Sequence, residues 1–296
     1  MSATKSPSED RFYPVALVCK AWGIPRSVCY EALARRRDAA PPAKPGPRPL
    51  VSDCELAELI RGLLDATERE FGFRGEGYRK LHARLRHAGV AAHKDRVLRV
   101  MRENGLLSPS RVGTPRGPRN HDGVITTTRP DVMWGTDATT VATLAEGTAW
   151  VFIAVDHCTG ECLGIHASPC GNRFEAFEPI RQAIRSSFGT LDNAVAAGVS
   201  VRHDNGTQYM SRFFQAELRF YGIASSPSYV RAPEGNGVAE RFIRTPKEQL
   251  LWVQNFRTIE ELRLALHDFA DRYNNAWLLA RHGYRTPADV RAQFAA

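Results

Sequence analysis

Val132-Met133-Trp134-Gly135-Thr136-Asp137-Ala138-Thr139-Thr140-Val141-Ala142 and Thr148-Ala149-Trp150-Val151-Phe152-Ile153-Ala154-Val155-Asp156 are the two runs that decide the fold. Both are rich in β-branched and aromatic residues. The second is apolar almost throughout, which reads as a strand buried on both faces. Cys162 to His166 follows as a third strand, and the short spacings predict an antiparallel meander. Downstream the pattern alternates. It predicts a helix over 174–188, a strand over 199–203, a helix over 211–221, a short strand over 223–226, and long helices over 237–253 and 259–277. Three strands followed by alternating helices and strands make an α/β layered domain over 131–296.

Upstream of Asp131 the texture is different. Phe12 to Arg37 reads as helix, Gly23-Ile24-Pro25 turn, helix, with Arg35-Arg36-Arg37 at its end. That is a helix-turn-helix pattern over 1–38. Residues 39–51 hold five prolines and a glycine between Ala39 and Pro49, so they read as a linker. A second helix-turn-helix unit follows over 52–108, with Ser52 as an N-cap before Leu56, Leu59, Ile60, Leu63 and Leu64. Its later helices set Leu81, Leu85, Val97, Val100 and Met101 on an apolar face. Arg79, Lys80, Arg84, Arg86, Lys94, Arg96, Arg99 and Arg102 fall on the others. Residues 109–130 read as a basic linker.

The net charge of +8 over 296 residues is unevenly spread. The first 130 residues carry 24 Lys/Arg against 14 Asp/Glu, and the remainder 16 against 18. A basic front half suits a polyanion, DNA or RNA, met through phosphate contacts. No run is long and apolar enough for a membrane span, and the polar N-terminus lacks a secretory signal. Six cysteines without a C-x-x-C suit reduced thiols in a cytoplasmic protein. His157, Cys158, Cys162 and His166 fall in paired strands, which argues against structural zinc.

The chemistry-bearing residues lie in the acidic half. Asp137 falls within the first strand, Asp204 just beyond the fourth, and Glu240 near the start of a long helix. Lys247, seven residues past Glu240, shares its helix face, with Arg244 between them. Three carboxylates gathered from distant positions suit two hard cations of the Mg²⁺ or Mn²⁺ type. Such a pair activates one oxygen and stabilises another in phosphodiester chemistry.

Trp134-Gly135-Thr136-Asp137, His203-Asp204-Asn205-Gly206-Thr207-Gln208-Tyr209, Gly235 to Phe242, Arg272-Tyr273-Asn274 and His282-Gly283-Tyr284-Arg285-Thr286-Pro287 together resemble the OrfB transposases of the insertion-sequence-three family. These share the retroviral-integrase catalytic core, and Gly77-Tyr78-Arg79-Lys80 resembles their upstream helix-turn-helix. The resemblance implies an RNase H-like fold, a mixed five-stranded sheet with flanking helices, behind all-α helix-turn-helix units. It implies Asp137, Asp204 and Glu240 as catalytic metal ligands holding two Mg²⁺ or Mn²⁺ ions, and Lys247 as a DNA contact. It also implies strand cleavage at the element's ends and transesterification by a 3′-OH, with no covalent protein–DNA intermediate. The expected partners are the terminal inverted repeats, target DNA, an OrfA product or an OrfAB fusion, and a second copy on DNA. Arg244, Arg79, Lys80, Arg84, Lys94 and Arg96 are further expected DNA contacts.

Rival readings remain beside this one. Asp156, before Thr159-Gly160, reads better as a turn cap than as a ligand, and Asp131 as a boundary residue. Asn205-Gly206 permits a tight turn with positive φ, Tyr209 suits either DNA contact or packing, and Tyr229 to Gly235 suits a mobile flap. Pro246 inside a helix removes a hydrogen bond and clashes with the Phe242 carbonyl. The kink would turn Lys247 relative to Glu240, so a weakened copy acting as a DNA-binding regulator is the alternative. His282-x-x-Arg285 matches a fragment of tyrosine recombinases, but residues 286–296 contain no tyrosine. A ribonuclease of the same fold would not explain the helical front.

Overall fold

A computed structural model describes residues 11–37, 49–108, 125–228 and 236–295. The expected flap at 229–235, most of the Pro-rich linker and most of the basic linker lie outside the described residues. The chain divides into two compact units, residues 1–50 and 51–296.

In the first unit, α1 (Val15–Trp22) and α2 (Arg26–Arg37) flank Gly23, whose φ of 64° ends α1 in the left-handed conformation. This is the expected helix, glycine turn, helix.

The second unit begins with α3 (Asp53–Phe71), α4 (Tyr78–His87) and α5 (Lys94–Glu103). Ser52 caps α3 in a reciprocal capping box with Glu55. Leu56, Ile60, Leu81, Leu85, Val97, Val100 and Met101 close a small helical core, the apolar face read from the sequence.

The sheet consists of β1 (Met133–Thr143), β2 (Gly147–Asp156), β3 (Cys162–Ser168), β4 (Ser200–His203) and β5 (Ala224–Pro227), in the order β3-β2-β1-β4-β5. The first three form the antiparallel meander, and β4 and β5 add in parallel. Helix α6 (Arg173–Phe188) and helix α7 (Arg212–Phe220) supply the crossovers. Along β2 the side chains alternate. Phe152 and Ala154 join Phe177, Ile180 and Phe214 on one face. Val151, Ile153 and Val155 meet Phe242, Leu262, Leu266 and Phe269 on the other. This second layer is α8 (Gly237–Pro246) and α9 (Ile259–Ala276), the latter begun by a Thr258–Glu261 capping box.

A final helix, α10 (Pro287–Ala295), was not anticipated. Its signal was legible in Thr286-Pro287-Ala288-Asp289. Thr286 Oγ1 accepts from the Asp289 amide at 3.1 Å, Asp289 accepts from the Thr286 amide, and proline occupies the first helical position. Arg291 on α10 donates to Asp131 at 2.8 Å and pairs with Glu161. Asp131 is therefore no idle boundary residue. Its φ is 58°, and it also accepts from Trp134 Nε1 at 3.0 Å and from Ser187 Oγ at 2.9 Å. Burial opposes the Asp131 charge, yet the hydrogen bond and charge of Arg291 hold its carboxyl below the usual range.

Several contacts join α3 and α4 to the layer that covers the sheet. Phe73, between α3 and α4, is buried in the α8–α9 core with its ring against Phe269 and Trp277. Arg84 of α4 makes a two-pronged pair with Glu76 at 2.5 and 2.8 Å and also donates to the Ala276 carbonyl of α9.

Candidate active site

Alternation along the strands positions the acids. Trp134 points into the α6 layer, so Gly135 and Asp137 point to the opposite, α8 side. On β4, Val201 points into the α6 layer and Arg202 away from it. Parallel pairing sets Gly135 opposite Arg202. Two residues further on stand Asp137 and, just past β4, Asp204, close enough for the Asp204 charge to bear on Asp137.

The proximity is visible in the chemistry. The Asp137 carboxyl is pushed from 3.8 up to about 6, chiefly by burial and further by the Asp204 charge. The Ala138 amide and the Lys247 charge act in the opposite sense. The Asp137 carboxylate accepts from that amide at 2.8 Å. Asp204 is exposed, and its Oδ1 accepts from the Gly206 amide at 2.8 Å. The chain turns here, with the Gly206 amide bonded back to Asp204, and Gly206 is not at positive φ. A Cβ there would lie 2.8 Å from Asp204 Oδ1 and displace that side chain.

Helix α8 is held against β1 by its first residues. Asn236 Nδ2 donates to the Thr136 carbonyl at 2.9 Å within the core. A Cβ on Gly135 would stand 3.2 Å from Ala239 Cβ and 2.7 Å from His157 Nε2, so the strand and helix meet only because residue 135 has no side chain. Glu240 follows Ala239, exposed in the first turn of α8, where the helix dipole favours a carboxylate. Among the described residues, no three His, Cys, Asp or Glu side chains lie close enough to enclose a metal ion. Asp137 and Asp204 are brought together; Glu240 is carried on the adjoining helix.

At Pro246 the helix changes form instead of breaking. Residues Lys247–Leu251 make a π turn, in which the Trp252 amide bonds the Lys247 carbonyl at 3.0 Å. The charge of Lys247 bears on Asp137, favouring its ionised carboxyl. The π turn also presents Gln249, which accepts from the Arg74 amide at 2.8 Å and donates to the Arg74 carbonyl at 3.1 Å.

The other acids have structural roles. Asp156 caps its turn, accepting from the Thr159 amide at 2.7 Å, as its sequence context implied. Tyr209 packs: it is fully buried against His203 and Phe214. His157 Nδ1 meets the Ile125 carbonyl, and His166 Nε2 meets Glu175 at 2.6 Å.

The expected basic contacts divide. Arg84 is committed to Glu76 and Ala276, and Arg96 to Asp53 at 2.8 Å and the Val51 carbonyl at 2.6 Å. These internal acceptors weigh against the phosphate contacts expected of both, since each guanidinium gives its Nε and Nη2 donors to the protein. Lys80 Nζ lies over the Trp277 ring, 2.9 Å from its centre. Arg244 pairs with Glu248 at 2.7 Å. Beside α8, a 420 Å³ cavity is lined by Lys80, Arg241, Arg244 and Arg281, the last unremarked in the sequence. Arg79 and Lys94 are exposed.

Residues 127–233 and 221–287 match two family models, each described as an integrase core domain, and residues 52–113 match an HTH-like domain. The chain is similar to the transposase InsD for insertion element IS2A/D/F/H/I/K of Escherichia coli, 26% identical over 223 residues and spanning 73% of each chain. Among solved structures, a chain of the simian T-cell lymphotropic virus intasome in complex with PP2A regulatory subunit B56 gamma aligns over 80% of this chain and 74% of its own. The identity is 16% and the TM-score 0.47. The catalytic core domain of BIV integrase aligns over 55% and 95%, at 20% identity and a TM-score of 0.41. The matches support a DDE transposase of the insertion-sequence-three family, with an integrase core behind a helix-turn-helix-like domain, and both domains support DNA binding.

Proposed function

We propose that this protein cuts the ends of an insertion sequence and joins them to target DNA by 3′-OH transesterification, using Asp137, Asp204 and Glu240 to hold Mg²⁺ or Mn²⁺. The observation that carries this reading is the nearness of Asp204, just past β4, to Asp137 on β1, with the Asp137 charge opposed by burial and by that neighbour. Two crowded carboxylates are the donor set that a hard divalent cation fits. Bound there, the metal supplies Lewis acidity to the attacking and leaving oxygens of the phosphodiester.

The chain's own residues do the rest. The Ala138 and Gly206 amides orient the two aspartates. Asn236 and Gly135 hold α8, and with it Glu240, against β1. Lys247 brings a cation to the same face and is suited to a DNA phosphate. Partnership with an OrfA product, alone or as a frameshift fusion, and assembly as a dimer on paired ends belong to the same proposal. So do cytoplasmic residence and the domain limits 1–38, 52–108 and 131–296.

Labelled ends of the element, incubated with Mg²⁺ or Mn²⁺ and with or without the upstream frame, test it. Metal-dependent joining is expected from the wild type, with a loss of at least about a thousandfold in Asp204→Asn. Joining that survives in Asp204→Asn, or binding without joining in every combination, would overturn the assignment.

A further inference from the structure

The first unit holds a pair of groups that strand transfer does not use. Gly23 turns the chain from α1 into α2, and the Gly23 and Ile24 amides both donate to the Cys19 carbonyl, the latter at 3.0 Å. The turn brings the Cys19 thiol of α1 into hydrogen-bonding contact with the Cys29 thiol of α2. Burial, and then that contact, push the Cys19 thiol up, while the Arg26 charge acts in the opposite sense.

Three observations give this pair a chemistry. The first is proximity. Both thiols are free, and sulfurs in contact come within bonding reach by side-chain rotation. Elsewhere, Cys54 and Cys170 are exposed and Cys162 donates to the Gly164 carbonyl at 3.6 Å. The second is access. Cys19 is buried and Cys29 half-buried, so a small solute meets Cys29 first, with Cys19 behind it. Cys19 also lines a 470 Å³ hollow with Lys20 and Arg26, cations of the kind that favour a thiolate. The third is the thinness of the core. Among the described side chains of this hairpin, Cys19 is the one that is buried, whereas Phe12, Leu17, Trp22, Val28 and Tyr30 are more than half exposed. So small a core does not hold two helices together without a cross-link or a partner.

We infer that Cys19 and Cys29 are a redox-responsive pair, reduced at rest and bridged by a hydroperoxide, and that the bridge staples α1 to α2. First the Cys29 thiolate attacks a peroxide oxygen. An S–O bond forms, the O–O bond breaks, and the departing oxygen takes the electron pair and a proton and leaves as water. Then the Cys19 sulfur attacks the Cys29 sulfenic acid. The S–S bond forms, the S–O bond breaks, and the hydroxyl leaves as water with the Cys19 proton. Two thiols are oxidised and one hydrogen peroxide is reduced to two waters. A bridge closing residues 19–29 disfavours the unfolded hairpin about a hundredfold. None of this depends on the transposase reading.

The test treats the full-length protein with stoichiometric hydrogen peroxide near neutral pH, blocks the remaining thiols, and digests with trypsin without reduction. Cleavage after Arg11, Lys20, Arg26 and Arg35 puts the two cysteines on separate peptides, residues 12–20 and 27–35. The expected product is those two peptides joined, lighter than their sum by two hydrogens. In brief digestion of the native protein, cutting after Lys20 and Arg26 should be about tenfold slower, or more, in the oxidised form, and dithiothreitol should restore the fast rate. Cys29→Ser should lose both the joined peptide and the protection. Reversal by dithiothreitol uses the wild type alone, so it decides the matter even where the variant is looser. Cys29 driven to its sulfinic acid with no joined peptide, or a joined peptide without slower digestion, would overturn the inference. A bridge formed instead through Cys54 or Cys170 would overturn it as well.

Discussion

Asp137 is ionised at a cost. With the folded carboxyl at about 6 against an ordinary 3.8, the folded state holds more protons than the unfolded one between those values. Stability is greatest below pH 4 on this account, and declines as pH rises through 6. The full difference amounts to at most about 3 kcal/mol, less whatever solvent reaches the carboxylate. Asp137→Asn in EDTA should therefore melt several degrees above the wild type at pH 8, with the gap closing towards pH 4. A gap that does not change with pH would show that the carboxylate is not under this pressure. The position of Asp137 was legible, because strand alternation is a local property. The commitments of Arg84 and Arg96 were not: Arg96 meets Asp53 across 43 positions, and the Ala276 carbonyl lies 192 positions from Arg84. Helical spacing says which side a side chain leaves from and nothing about what tertiary packing brings to it.

Pro246 shows how an element absorbs a residue that its local propensity rejects. The sequence argued for a kink, and the chain answers with a wider turn. Leu250 and Leu251 are buried in the α8–α9 core and Gln249 is bonded to the Arg74 backbone, so the contacts downstream favour keeping the π geometry. Pro246→Leu would return a donor to the Phe242 carbonyl and relieve the ring clash, worth about 3 kcal/mol in an ordinary helix interior. We expect the melting temperature to rise by several degrees while strand transfer stays within about twofold. Equal melting temperatures would refute the stability part. A tenfold faster reaction would mean that proline had impaired the site, as the weakened-copy reading holds. The meander and its crossovers could be read from hydrophobic pattern alone. The π turn could not, because its cause lies in contacts beyond the helix.

At the scale of the whole second unit, the helical front and the sheet share a seam. Glu76 has a side chain only 1% exposed, and Arg84 is its ion-pair partner. Arg84→Ala strands that carboxylate, at a cost of about 3–5 kcal/mol. The variant should melt well below the wild type, and the helical and sheet regions should lose structure together in calorimetry. Two separate transitions, with the sheet unmoved, would mean that the seam is not cooperative. The seam was invisible in sequence, since Phe73 and Glu76 sit in a stretch that reads as a connection between helices. Its presence bears on where the enzyme cuts. Phe73, Gln249 and Arg84 tie the α3–α4 region to the layer that carries Glu240. If that tie holds, a duplex held on the helix-turn-helix-like domain would meet the carboxylates at a constant offset in base pairs, and lengthening the 109–130 segment would leave that offset untouched. The protein would then measure its cleavage position as a rigid ruler does, by its own dimensions.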